Sequence, residues 1–213
     1  KICRFPWGID LEYFSPEAAA RAGQAWREQQ GWLDKKVLLC LRSWEPNYGV
    51  DDLARAFIKA AHTNPDLRLI LLNDGSQAKE IRQILHDGGI LSKVYFGDKV
   101  ANEDLLKYYG AADVYVSPSH VDGSSVSLME ALACGLPALV SDIPANKEWV
   151  WQDVNGWIYP DGNIKALAQR MLDAVETAFE PMKIVARNVA LSKADWRKNV
   201  QMLYRCYKEV LNG

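Results

Sequence analysis

Along this chain, short and mostly apolar runs alternate with longer stretches whose apolar positions recur every three or four residues. The short runs cover 37–41, 67–72, 94–96, 114–116, 138–140 and 156–159. Their lengths, and the Gly, Asn, Asp and Pro residues that bound them, predict strands. The longer stretches predict helices over 50–63, 77–87, 103–109, 145–150, 164–177, 181–190 and 195–211, and from the end of the 117–124 turn to Ala133. An irregular lead-in over 5–16 precedes a further predicted helix over 17–30, rich in Ala, Gln, Glu and Arg. Short strands separated by helices predict a parallel sheet covered on both faces. Right-handed crossovers then make it a doubly wound α/β domain of about six strands, Rossmann-like in plan.

In such a sheet ligands bind beyond the carboxyl ends of the strands. The turns after Leu41, Leu72, Phe96 and Val116 all fall on that edge, and they hold the polar residues of interest. The most informative stretch is 111–142, read as strand, Gly/Ser-rich turn, helix and strand. A helix opening just after a parallel strand presents unpaired N–H groups and the positive end of its dipole, a place for a phosphate. Asp122 lies in that turn, and Glu130 lies two helical turns beyond it. Carboxylates there suit hydroxyl donors such as sugar and ribose. An ordinary helix-start Asp and an exposed helix Glu are the plainer account of the pair. Their setting, with Gly123, Ser124 and Ser125 between them and the small residues Ala131, Ala133 and Gly135 after, favours a ligand. Arg42 directly follows the 37–41 strand, where a guanidinium fork can hold a diphosphate. Residues 73–76 (Asn-Asp-Gly-Ser) read as a turn and helix cap, and Phe96-Gly97-Asp98 would admit a flat base at Gly97. His62, His86 and His120 show no metal spacing.

The composition narrows the function further. The chain has 213 residues, 49% hydrophobic and 24% charged, with a net charge of −2, which gives no electrostatic case for nucleic acid. Cys3, Cys40, Cys134 and Cys206 lie far apart, a spacing expected of free thiols in a reducing, cytoplasmic compartment rather than of a disulfide framework or zinc site. No run is long and apolar enough to span a membrane. The chain begins Lys-Ile-Cys-Arg without methionine, as expected of a part of a longer protein.

These residues together resemble the retaining GT-B glycosyltransferases of group 1, family 4, and more narrowly their C-terminal, nucleotide-sugar-binding domain. Gly8, Asp10, Phe14 and Pro16 match the family's lead-in, with Trp7 where asparagine is usual. Residues 113–119 match the strand that ends in Pro-Ser, the Glu-x7-Glu motif falls on Asp122 and Glu130, and residues 131–137 match the small-residue helix end. Asn155-Gly156-Trp157 matches the Asn-Gly before the last strand. The resemblance implies a nucleoside diphosphate sugar as substrate, UDP- or GDP-type, with neither cofactor nor metal. It implies that Glu130 binds ribose hydroxyls, Asp122 the transferred sugar, the backbone of Gly123, Ser124, Ser125 and Val126 the sugar and diphosphate, and Arg42 the diphosphate. It implies a donor-binding domain over 1–194 and a final helix over 195–213 that crosses to an N-terminal acceptor domain, the only part through which membrane association would arise. No catalytic residue is assignable here, and this half alone is expected to bind donor without transferring sugar. Trp196, Leu203, Tyr204, Tyr207 and Leu211 form an aromatic-rich stripe on that helix, suited either to this domain or to the absent one.

Three departures stand out. The first carboxylate is Asp122 instead of Glu, Ser124-Ser125 replace an aromatic-glycine pair, and Tyr48 stands where a lysine completes the arginine clamp. Tyr48 can serve as a neutral donor in a variant branch. The same change equally suits a non-catalytic sugar-nucleotide-binding or scaffold protein, and a sugar-nucleotide epimerase or phosphorylase on the same fold is a further alternative. A dinucleotide-binding domain is disfavoured because no G-x-G-x-x-G follows the first strand.

Overall fold

The computed structural model describes residues 5, 7–177 and 180–211. Six parallel strands form one sheet: β1 (Lys36–Cys40), β2 (Leu67–Leu71), β3 (Val94–Phe96), β4 (Val114–Ser117), β5 (Ala138–Ser141) and β6 (Gly156–Tyr159). Their order is β3-β2-β1-β4-β5-β6, so the chain reverses direction across the sheet between β1 and β4. The crevice of a doubly wound sheet opens at that reversal. Here the segments leaving β1 and β4 carry Arg42 and Asp122, so topology alone brings the two candidate residues together.

Both faces of the sheet are buried, and alternation sets which residue faces which layer. Val37 and Leu39 face α1 (Pro16–Gln30), α4 (Leu105–Ala111), α5 (Val126–Ala133) and α8 (Glu180–Lys193). Leu38 and Cys40 face α2 (Val50–Thr63), α3 (Ala78–Asp87) and α7 (Ile164–Glu176). The helix predicted over 145–150 is a single turn, α6 (Pro144–Lys147), after which Trp149 N makes a tighter bond to Asn146 O three residues back. The helix predicted over 103–109 begins as a 3-10 turn at Asn102–Asp104 before α4.

Helix α1 is drawn tightly onto α4. A β-carbon at Gly23 would stand 2.0 Å from Gly110 C, and one at Gly110 would stand 1.8 Å from Ala19 O. These are backbone approaches, so no side-chain rotation relieves them. Gly110→Ala should therefore destabilise the domain by about 1–3 kcal/mol, the usual cost of overpacking. Chemical denaturation reads this directly. An unchanged midpoint would mean that α1 is free to shift.

The last helix, α9 (Trp196–Leu211), differs from the others in having Asn199 as its one buried residue among those described. It is tied to the lead-in. Ile9 forms a parallel bridge with Asp195, and Asn199 Nδ2 donates to Trp7 O at 2.9 Å. Trp196, Tyr204 and Tyr207 are 46%, 63% and 60% exposed, and Leu203 is half-buried, so packing within this chain does not account for the stripe. Among the described residues no helix is long and apolar enough to cross a membrane.

The cysteine expectation needs a correction. Cys40 and Cys134 are buried free thiols, but Cys206 is disulfide-bonded, and Cys3 lies outside the described residues. Spacing along the chain does not show which cysteines the fold brings together. The cysteines therefore do not speak for a reducing compartment.

Candidate functional site

Arg42 leaves β1 with its side chain buried and surrounded on three sides. Its Nη1 donates to Ser125 Oγ at 2.8 Å. Nη2 stands 2.7 Å from Asp122 Oδ2. That contact is off the hydrogen-bond direction, so it is a close ion pair and not an aligned hydrogen bond, and Arg42 Nε has no acceptor. The ring of Tyr48 covers the guanidinium, 4.3 Å from Arg42 Cζ to the centroid, a cation–π contact. Arg42 is therefore held in place yet keeps an unused donor.

Ser125 has a second role. It is the N-cap of α5, and its Oγ accepts from Leu128 N at 3.2 Å. A serine at this position satisfies one of the helix's orphan donors. The β4–α5 turn is also fastened to the loop that carries Tyr48. The N–H groups of His120 and Val121 both donate to Asn47 O, at 3.0 and 3.3 Å. Gly49 makes this approach possible. Its φ is +60°, and a β-carbon there would meet Pro118 O at 2.4 Å. His120 adds a side-chain link, with Nδ1 2.7 Å from Asp161 Oδ1. Among the described residues no cluster of three His, Cys, Asp or Glu could hold a metal ion.

Glu130, on α5, is buried, unlike the exposed glutamate of the plainer account. Its Oε2 accepts from Tyr109 OH at 2.7 Å. Burial raises its pKa above the ordinary 4.5, while the Tyr109 hydrogen bond opposes that rise. Burial, with Glu130 opposite, pushes the Tyr109 hydroxyl well above its usual range. A carboxyl kept dry by the fold and held by one phenol has lone pairs left to accept from a ligand hydroxyl.

Two clefts meet at Glu130. One, of about 290 Å³, runs along the strand ends and is lined by Arg42, Asn73, Lys99, Val100, Ser127 and Glu130 among others. The other, of about 460 Å³, is lined by Gly8, Ile9, Asp10, Tyr13, Val126 and Glu130 among others. Gly97 does not line the first cleft. It is buried and donates to Leu71 O at 2.8 Å, and Asn73, Lys99 and Val100 form that end of the wall. Gly123 is exposed with open space around it, and Ser124 is half-buried beside it. The sequence reading missed Tyr109 and Lys99. Lys99 sits two residues beyond Gly97 on the ligand edge, a signal that was available. Tyr109 belongs to a helix whose placement beneath Glu130 emerges only from the packing of α4 and α5.

The sequence profile of the family described as "Glycosyl transferases group 1" matches residues 23–190. The chain belongs to that family. Its fold is one half of a GT-B fold. It is 27% identical over 201 residues to the GDP-mannose-dependent alpha-(1-6)-phosphatidylinositol monomannoside mannosyltransferase of Mycolicibacterium smegmatis, covering 90% of this chain and 52% of that protein. Its fold superposes on Anabaena Alr3699/HepE, solved with UDP and glucose, with a TM-score of 0.84, 21% identity and coverage of 94% of this chain and 55% of that one. It also superposes on the C-terminal domain of the group 1 family protein LpcC from Francisella tularensis, with a TM-score of 0.76, 17% identity and coverage of 88% of this chain and 99% of that one. This group 1 domain spans about half the length of the curated relatives it matches.

Proposed function

We propose that this domain holds the donor for a retaining glycosyltransferase, taking a UDP- or GDP-type sugar whose sugar moiety passes to an acceptor bound by a separate N-terminal domain. The observation that carries the reading is the convergence of Arg42, Asp122, Ser125 and Glu130 at the strand reversal, around clefts that join at Glu130. In this reading Arg42 and the start of α5 hold the diphosphate, Glu130 accepts from the ribose, and Asp122 faces the sugar. As the sugar–phosphate bond breaks, negative charge builds on the leaving diphosphate, and preorganised donors at Arg42 and α5 lower that barrier. The GDP-mannose dependence of the mycobacterial relative and the UDP held by Alr3699/HepE support both donor classes equally. The exposed face of α9 suits the acceptor domain, and this half alone is expected to bind donor without transferring it. Tyr48 over Arg42 favours one rival, a sugar-nucleotide-binding protein without transferase activity.

A thermal-shift panel tests the reading. A ligand bound only by the native state raises the melting temperature. At least one UDP- or GDP-sugar should do so, and free mannose or glucose should not. No shift with any UDP-, GDP- or ADP-sugar would overturn donor binding. The full-length protein, assayed with the donor found in this way, then separates transfer from binding alone.

A further inference from the structure

The strand-end cleft has an electrostatic problem that the family motif does not solve in this chain. Arg42 is matched by Asp122 at 2.7 Å, so the pair offers little net charge to an incoming anion. Glu130 lines the same cleft and brings a further carboxyl. Tyr48 stands where a second cation is expected, and its ring is spent on the guanidinium face. The side chains around a diphosphate here carry one cation against two carboxyls, which the partial positive charge at the start of α5 offsets only in part.

One side chain offsets this. Lys99, on the segment between β3 and α4, lines the cleft with Arg42 and Glu130. It is exposed, and among the described residues its ammonium has no hydrogen-bond or ion-pair partner. It is the one lysine among the residues that line this cleft. We infer that Lys99 supplies the second positive charge on the donor's phosphates, in place of the cation that Tyr48 displaced. The flexible four-carbon stem of lysine suits a reach across the cleft mouth, and its ammonium binds phosphate as a point charge. The inference rests on the donor-binding reading above and adds to it a residue that the Arg42, Asp122 and Glu130 constellation does not contain.

The test is calorimetry with UDP and GDP, and with uridine and guanosine, on the wild-type chain and on Lys99→Gln and Lys99→Arg. Lys99 is exposed and unpaired, so both variants should melt as wild type does. Lys99→Gln should weaken the diphosphate roughly tenfold at low salt, the scale of one charge-assisted contact, and the loss should shrink as salt is added. Nucleoside binding should stay unchanged, and Lys99→Arg should keep most of the diphosphate affinity. An unchanged diphosphate affinity in Lys99→Gln overturns the inference. So does an equal loss for the nucleoside, which would put Lys99 on the base, and so does a Lys99→Arg variant as weak as Lys99→Gln. If the wild type binds neither diphosphate, the donor-binding reading itself falls.

Discussion

Arg42→Ala should be the most damaging single change at the site, and it should act on stability and binding together. Removing one partner of a buried ion pair leaves the other charge without compensation, a loss of about 3–5 kcal/mol. For a domain of this size that corresponds to a fall of roughly 6–20 °C in melting temperature. The charge left behind is Asp122, so Asp122→Asn added to Arg42→Ala should recover part of the loss. A double variant no more stable than Arg42→Ala alone would show that the guanidinium stabilises the fold through Ser125 and Tyr48 instead. Where the single variant is still folded, UDP and GDP should bind at least about tenfold more weakly, because a charge-assisted contact is worth about 1.5–3 kcal/mol. The nucleosides should lose little. Equal losses for nucleoside and diphosphate, read by calorimetry, would mean that Arg42 serves folding and not the phosphates.

Glu130→Gln should move stability and binding in opposite directions. Burial raises the folded-state pKa of Glu130 above its ordinary value of 4.5, against the smaller pull of Tyr109. A carboxyl with a raised folded pKa contributes stability that is complete below the unfolded pKa and is lost as pH rises through the folded one. Above its ordinary pKa the wild type therefore loses stability that the amide keeps. Glu130→Gln should melt at or above the wild-type temperature at pH 7, and the difference should close as pH falls below about 4.5, where both side chains are neutral. An amide oxygen is a weaker acceptor than a carboxylate, so nucleotide affinity should fall about tenfold. A Glu130→Gln domain with wild-type affinity for UDP and GDP would remove Glu130 from the site. One with lower stability at pH 7 would mean that its carboxylate is well solvated despite its burial.

The sheet was legible because each strand is a short apolar run closed by turn residues, and all six runs proved to be strands. The gathering of Arg42, Asp122 and Glu130 at the strand ends was legible for a related reason, since each stands at a fixed offset from a strand end. The contacts that hold those residues were not. The pairing of Arg42 with Asp122 spans 80 positions, and neither local period nor motif shows whether the two touch. The setting of Glu130 favoured a ligand over an exposed helix residue, but nothing in the sequence placed Tyr109 beneath it. The disulfide of Cys206 was hidden in the same way, since spacing along the chain does not fix which cysteines pair.

The tie between Ile9 and Asp195 has a mechanical consequence. Ile9 N donates to Ala194 O and Trp196 N donates to Ile9 O, so the segment entering the domain and the helix leaving it share one seam. Whatever displaces one of these segments displaces the other along a single line. Gly8, Ile9 and Asp10 lie on that line and also form a wall of the cleft that ends at Glu130. A pull on α9 is therefore also a pull on the wall against which a molecule in that cleft would rest.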